Sequence, residues 1–444
     1  MQMNLPSDVN YIIERLQRNG HEAYAVGGCV RDCILGKEPH DWDITTSADP
    51  DTVKSLFEKT FDTGIEHGTV TVLLNNVGYE VTTYRIDGIY EDGRHPKQVT
   101  FTRDLHEDLQ RRDFTINAMA YNNSEGLVDI FGGLDDLNQG VIKAVGNPVD
   151  RFSEDALRML RAMRFAAQLG FEIESITRGA IVELAPSLSK VSAERIQVEL
   201  VKLVCSDHPQ MIRDVYNTGL TKVFFPEWDV MMETAQNSKH HIYSVGEHTI
   251  VAMESIKPDR VLRLAMMLHD VGKPATISVD EKGNNHFYGH MELGAKMAKD
   301  ILRRLKFDNE TTDAVCRLIR YHDDRPEVSE RNVRRLMSRI GSEYFLDLLA
   351  VKRADVMGQS DYKKEAKLGF LDEMERYYYK ILSEEQCVKL KDLLIDGNEL
   401  ISLGAAQGKE IGIILKTLLE EVLDDPERNN REYLLERAKT LINS

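Results

Sequence analysis

Two aspartates one residue apart, Asp41 and Asp43 in the stretch DWDITT, are the first residues whose types and spacing point to chemistry. On a strand, residues i and i+2 share a face, so the two carboxylates repel unless a cation lies between them. Glu80, in GYEVTTYR (78–85), sits on a second predicted strand with Thr82 and Tyr84 on its own face. Three carboxylates converging on one sheet face are ligands for a hard divalent ion such as Mg²⁺. Ions held this way activate an attacking hydroxyl and stabilise the leaving oxygen in phosphoryl transfer. Taken alone, D-x-D is a common accident of exposed strands. The stretch before it changes that reading. In AVGGCVRD (25–32) a strand runs into Gly27 and Gly28 and then a helix start, with Arg31 one turn in. Glycines let a phosphate approach the backbone, a helix start offers free N–H groups, and Arg31 is within reach of a triphosphate.

A second set of residues lies in the latter half. His248 ends GEH, His269 and Asp270 close the apolar run RLAMMLHD, and His290, His322 and Asp355 follow in GHMELG, RYHDD and VKRADVMG. A lone histidine on a helix is usually a packing residue. An ordered series of imidazoles and carboxylates on separate helices is how bundles build metal sites, with ligands pointing inward. Mixed ligands of this kind suit Mn, Fe, Ni or Zn rather than Mg alone.

The elements that must position these residues follow from periodicity and breakers. Residues 8–20 read as a helix capped by Asp8 and stopped by Gly20. AYAVGG and DWDITT read as strands, and 69–85 as a hairpin turning over Asn75 to Gly78. RFSEDALRMLRAMRFAAQLGF (151–171) reads as one helix capped by Ser153. Its Glu154, Arg158 and Arg161 share a face with Asp155 at the edge, while Leu157, Met159, Leu160 and Met163 face a core. Strand signals vanish after DIFGGLDDL (129–137), leaving helical periodicity broken by Gly, Pro and Asn. The fold class is α+β: a small mixed α/β head, then a long all-α body. The expected domains are 1–137 (head), 138–235 (helical neck), 236–362 (histidine-rich helical domain) and 363–444 (helical tail, with no chemistry of its own).

Composition sets outer limits. The 444 residues, 42% hydrophobic and 29% charged, are ordinary for a soluble globular protein. A net charge of −17 argues against a globally basic nucleic-acid binder but leaves room for a local arginine groove. The five scattered cysteines suit reduced thiols. No apolar run approaches the roughly 18 residues that span a bilayer, and MQMNLPSDVN lacks the pattern of a signal peptide. A cytoplasmic protein without membrane association, monomer or homodimer, is expected.

GGCVRD, DWDITT, EVTTYR and RRDFTINAMAY (111–121), in this order, resemble the tRNA nucleotidyltransferases of the polymerase β-like superfamily, over roughly residues 20–200. These are the bacterial-type CCA-adding enzymes and the related bacterial poly(A) polymerases. The resemblance implies that Asp41 and Asp43 hold Mg²⁺, that Glu80 is the third active-site carboxylate, and that Gly28, Arg31 and Arg112 contact the incoming nucleotide. Asp155 and Arg158 match the family's base-reading pair. Cytosine and adenine each present an exocyclic amine beside a ring-nitrogen acceptor, whereas guanine and uracil present a carbonyl beside an N–H. One carboxylate with one guanidinium thus accepts C and A, and rejects bases that leave polar groups unpaired. Arg161 and Arg164 are expected to meet phosphate or RNA backbone. The charged segment 85–105 corresponds to the loop required for the switch to ATP, and Gly132 and Gly133 to a hinge. The second set resembles the HD superfamily of metal-dependent phosphohydrolases, with His248, His269, Asp270 and Asp355 as core ligands and His290 and His322 for a second metal. The resemblance implies tRNA, CTP and ATP as partners. Other readings are A-only addition, poly(A) polymerisation, an HD phosphohydrolase with a degenerate head, and a non-catalytic RNA-binding protein.

Overall fold

The computed structural model describes residues 2–87, 99–237, 239 and 242–443, which divide into two compact units, Met1–Pro226 and Glu227–Ser444. The first unit is built on β1 (Ala23–Val26), β2 (Asp43–Thr46), β3 (Thr60–Gly64), β4 (Thr69–Leu74) and β5 (Val77–Thr83). A separate two-stranded ribbon follows, β6 (Arg85–Asp87) with β7 (Val99–Phe101), and then β8 (Met119–Asn122) and β9 (Gly126–Asp129). The seven-stranded sheet has the order β3-β4-β5-β2-β1-β8-β9. All four residues of β1 are buried, as its central place requires. The helix Ser7–Arg18 presents Val9, Ile12, Ile13 and Leu16 as one apolar stripe.

The hairpin is as expected but turns earlier. Asn75 and Asn76 alone take left-handed backbone, φ 50° and 65°, a two-residue turn that suits strand twist, and Val77 and Gly78 already pair with β4. The first helix is not capped by Asp8. Its N-cap is Pro6, and the Asp8 carboxylate instead accepts hydrogen bonds from Asn75 Nδ2 at 3.1 Å and Tyr79 OH at 3.3 Å. The DWDITT strand starts only at Asp43, opposite Glu80 of β5; Asp41 lies in a bend before it.

The largest departure is in 151–171. Two helices, Pro148–Glu154 and Leu157–Leu169, replace the single one, and Asp155 between them is extended at φ −140°, ψ 102°. Ser153 is therefore inside the first helix; Asn147 caps it, through a bond from Val149 N at 3.0 Å. Asp155 Oδ1 accepts from Leu157 N at 3.1 Å and starts the second helix. Strand pairing also persists past 137, in the two-residue pairs Val141–Ile142 with Glu172–Ile173 and Ser278–Val279 with Asn285–His286. The rest of both units is helical, giving the expected mixed-sheet head and helical body. The expected loop 85–105 falls partly on 88–98, outside the described residues.

In the second unit, His248 lies within Val245–Glu254 and Asp355 within Phe345–Gly358. His269 follows the last residue of Arg260–Leu268, His290 opens His290–Arg304, and His322 follows Asn309–Tyr321. The C-terminal helices Lys409–Asp424 and Arg431–Ile442 share a small core with Leu393 and Leu400.

Candidate functional site

Parallel pairing of β2 with β5 sets Asp43 directly opposite Glu80. Partial desolvation pushes both carboxyls above their ordinary range; Asp41 pushes each further up, and the Asp43 charge acts on Glu80. Like charges gathered this way favour a bound cation. Asp41, Asp43 and Glu80 are exposed, and among the described residues no three head carboxylates bring oxygens within 4.8 Å of one another.

Arg112 opposes the rise at Asp43. Its guanidinium runs past the glycine turn after β1: a Cβ on Gly27 would lie 2.9 Å from Arg112 Nη1, and φ there is +82°. Gly27 is thus required twice, by conformation and by close approach. Gly28 begins the helix Gly28–Ile34. Arg31 is buried, donates to Asn117 Oδ1 at 2.7 Å, pairs with Asp32 at 2.7 Å, and lies over the Phe165 ring at 5.2 Å.

Asp155, at the break between the two helices, forms a two-pronged ion pair with Arg195, at 2.6 and 3.2 Å. Arg158 is buried, pairs with Glu154 at 2.7 Å and donates to the Arg111 carbonyl at 3.0 Å. Both expected base-reading residues are therefore fixed by partners: Glu154, on the expected shared face, and Arg195 and the Arg111 carbonyl, which motif reading missed. Arg161 and Arg164, expected to meet phosphate, are already engaged. Arg161 donates twice to Asp113, at 2.6 and 2.8 Å, and Arg164 pairs with Glu199 at 2.6 Å. Burial lowers the Arg164 guanidinium to about 10. Asp113 sits at about 2: burial alone would raise it, and Arg161 outweighs that. Arg164, Arg31 and Arg161 all lie over Phe165, at 3.7, 5.2 and 5.4 Å from the ring centre. Asp108, fully buried beneath β2, holds Arg111 at 2.8 Å and accepts from Thr45 at 3.1 Å. Glu199 and Arg195 carry no motif signal of their own, because each is read only through a partner distant in the chain; Asp113 and Asn117 lie within the RRDFTINAMAY stretch, but nothing in the sequence assigns them to Arg161 and Arg31.

In the second unit the six predicted ligands converge. Each imidazole presents Nδ1 to a backbone carbonyl: His248 to Gly358 at 3.0 Å, and His269 to Met266, His290 to Phe287 and His322 to Ile319, each at 2.7 Å. A carbonyl only accepts, so Nδ1 carries the proton and Nε2 turns inward. His248 and His269 Nε2 stand 3.3 Å apart, and those of His290 and His322 3.4 Å. Asp270 is fully buried with neither oxygen accepting a well-formed hydrogen bond, while Lys273 Nζ lies 2.7 Å from it. Two triads with all ligand atoms within 4.8 Å share Asp270: His248, His269, Asp270 and Asp270, His290, His322. Asp355 lies 2.9 Å from His248 and 3.7 Å from His269. Burial alone would lower His269, but Asp270 and Asp355 raise it to about 9. Burial pushes His290 the other way, down, so the raised affinity for positive charge belongs to His269 beside Asp270 and Asp355. Inward-facing imidazole nitrogens around a buried carboxylate that two triads share are a donor set that fits two divalent ions. A cavity of about 260 Å³ opens on this centre through His322 and Asp355 and is lined by Lys352, Lys367, Arg325 and Phe370.

Comparisons with known proteins agree with the geometry. A family model described as the poly(A) polymerase head domain matches residues 23–143, one described as a probable RNA- and SrmB-binding site of polymerase A matches 170–232, and the HD domain matches 239–394. The CCA-adding enzyme of Leuconostoc mesenteroides is 48% identical over 244 residues, 54% of this chain and 61% of that protein. That of Limosilactobacillus reuteri is 53% identical over 210 residues, 47% of this chain and 52% of that protein. These matches thus span about half to three-fifths of the relatives' length. That of Ligilactobacillus salivarius is 34% identical over 438 residues, 97% of this chain and 95% of that protein. The Bacillus stearothermophilus CCA-adding enzyme solved in complex with CTP superposes with a TM-score of 0.74 at 29% identity, covering 99% of each chain. No helix among the described residues is long and apolar enough to cross a membrane.

Proposed function

Because the chain belongs to the family of CCA-adding enzymes, we propose that it adds C, C and A to the 3′ end of tRNA from CTP and ATP, without a nucleic-acid template. The tRNA 3′-hydroxyl attacks the α-phosphorus of the nucleotide; the new phosphodiester forms as the bond to pyrophosphate breaks. The observation that carries this reading is the register of Asp43 with Glu80, beside an arginine, Arg112, that passes the Gly27 turn. The all-carboxylate donor set of Asp41 and Asp43 fits Mg²⁺, which when bound neutralises charge on the attacking and leaving oxygens. Glu80 completes the acidic face. Arg31 and Arg112, with the backbone at Gly28, hold the triphosphate, so that most of the catalysis is positioning and electrostatics.

Asp155 accepts from the exocyclic amine of cytosine or adenine and Arg158 donates to the adjacent ring nitrogen. Guanine and uracil leave both groups facing a partner of the wrong kind. Arg195 and Glu154 keep the pair at a fixed spacing. Arg161 and Arg164 act one step further back, by tying the helix Leu157–Leu169 to Asp113 and Glu199. The division into head 1–137, neck 138–235, HD domain 236–362 and tail 363–444 goes with this reading.

The HD centre serves a second reaction, hydrolysis of a phosphate ester. Its imidazole and carboxylate donors fit divalent transition metals, which when bound polarise a phosphoryl group and lower the pKa of water. The carbonyls behind each Nδ1 fix ring orientation, and the cationic cavity beside His322 and Asp355 receives the ester's negative charge.

Primer extension tests the main reading. The protein is given a tRNA ending at the discriminator base, or one ending in CC, with CTP, ATP or both. Two additions with CTP and three with both, then a stop, are expected. One A on the CC-ended tRNA alone would make it an A-adding enzyme, and long A tails a poly(A) polymerase.

A further inference from the structure

The helix His290–Arg304 carries Lys296, Lys299 and Arg303 at three- and four-residue spacing, and its neighbour Asn309–Tyr321 carries Arg317 and Arg320 in the same way. Such spacing puts each set on one helix face. The two helices pack side by side. Between them and Arg339 of Glu330–Ile340 runs a groove of about 610 Å³, lined by Lys296, Lys299, Arg317, Arg320 and Arg339 against two carboxylates, Glu292 and Asp313.

What distinguishes this groove is that its cations form no close ion pairs, although Glu292 and Asp313 share its lining and Arg317 acts from a distance on the Glu343 carboxyl. Among the described residues, none of the five forms an ion pair with a carboxylate. Arg317 donates to the Ile340 carbonyl at 2.7 Å and lies over the Tyr344 ring. Elsewhere in the same unit arginines are paired: Arg304 with Glu227, Arg331 and Arg335 with Asp424, Arg353 with Asp372 and Glu375. In a chain of net charge −17, five cations without an ion pair, against two carboxylates, make a locally positive groove that favours a polyanion. Lys296 to Arg303 spans two helical turns, about 10 Å, so the row meets a chain of charges better than a single anion. Arginine forks suit phosphate, and Tyr321 adds an aromatic edge.

We propose that this groove binds the phosphodiester backbone of the tRNA substrate, as a second RNA contact outside the 170–232 segment that the RNA-binding family model matches. The inference rests on tRNA being the substrate. It requires no base contact, since backbone binding by cations is independent of sequence and falls steeply with salt.

The test is tRNA affinity across a salt series for the full chain and for Lys296→Glu/Arg320→Glu, with Lys296→Arg/Arg320→Lys as the charge-conserving control. Loss of two phosphate contacts should lower the slope of log affinity against log salt by about 2, and raise Kd roughly tenfold or more at moderate salt. The control should keep both, and kcat at saturating tRNA should be unchanged, because these residues lie outside the catalytic set. If the parent extends tRNA but the reversed variant binds it with the same Kd and slope, the groove is not an RNA site, and an acidic protein partner becomes the better reading. Equal weakening in the control overturns it too, since a charge effect was claimed. If the parent does not extend tRNA at all, the underlying function fails along with the groove.

Discussion

The head site and the HD centre solve the same problem, holding negative charge for a cation, in opposite ways. In the head, strand register sets exposed Asp43 opposite exposed Glu80, with exposed Asp41 in the bend just before the strand, and burial is spent on arginines such as Arg31 and Arg158. In the HD centre the ligands themselves are buried, with His248, His269 and Asp270 fully sealed and each imidazole tied to a carbonyl. An open site can admit and release a triphosphate and an RNA end at each cycle. A closed, prearranged donor set suits an ion retained between turnovers. The difference teaches that buried imidazoles build a resident centre, whereas exposed carboxylates build one completed by its substrate.

The sharpest way to break this comparison is to disable each site separately. Asp43→Ala should lower nucleotide addition by about 10³-fold or more, since removing a metal-binding carboxylate forfeits several kcal/mol of transition-state stabilisation. It should leave melting temperature and HD-site metal content unchanged; retained addition would sink the head assignment. His269→Ala removes a ligand outright and should lower metal affinity by more than the roughly 10–100-fold that loss of an outer-shell partner costs, read by elemental analysis of the purified protein, with nucleotide addition intact. An unchanged metal content would remove the centre from consideration.

Arg195→Ala should cost less. Freed from its two-pronged partner, Asp155 loses its aim, and preference for CTP and ATP over GTP and UTP should fall about tenfold. Arg195→Lys, which cannot form the fork, should recover only part of it. If selectivity is untouched while stability falls, Arg195 is merely a brace.

The smallest effects concern stability. Asp113 is held at about 2 against an ordinary 3.8. A depressed carboxyl contributes stability that is fully present above about pH 4 and is lost as pH falls through 2, here about 2 kcal/mol. Asp113→Asn should therefore lower unfolding free energy near neutrality by about that amount, and flatten its decline between pH 4 and 2 in denaturant titrations. Gly27→Ala should cost roughly 1–2 kcal/mol from its left-handed backbone, and raise KM for nucleotide by displacing Arg112.

The residues visible in the sequence are those whose chemistry is local: the glycine turn, Asp41 with Asp43, Asp155 with Arg158, and the histidines at helix ends. The supports that stay hidden are the long-range ones, whereas the Glu154–Arg158 pair and the carbonyls behind His269, His290 and His322 are local. Arg31 finds Asn117 across 86 positions, and Asp155 finds Arg195 across 40. The break at Asp155 was hidden for the same reason. Apolar periodicity runs through it, and only the tertiary ion pair with Arg195 and the local cap on Leu157 make an extended residue preferable there. The hairpin is legible, but its turn closes earlier than the Asn75 to Gly78 stretch suggests, since Asn75-Asn76 already supplies both left-handed positions.

The strand order has a consequence for how the protein is made. β1 and β2 lie at the middle of the sheet, yet their outer neighbours are β8 and β5, which come later in the chain. Asp43 emerges from the ribosome well before Glu80, and β1 remains half-paired until Met119–Asn122 has been synthesised. At roughly 5–20 residues per second, the nascent head spends several seconds with an open central edge. Pairings this distant are slow to form once their partners exist. The head is therefore the stretch of the growing chain most in need of shielding from other unfinished strands.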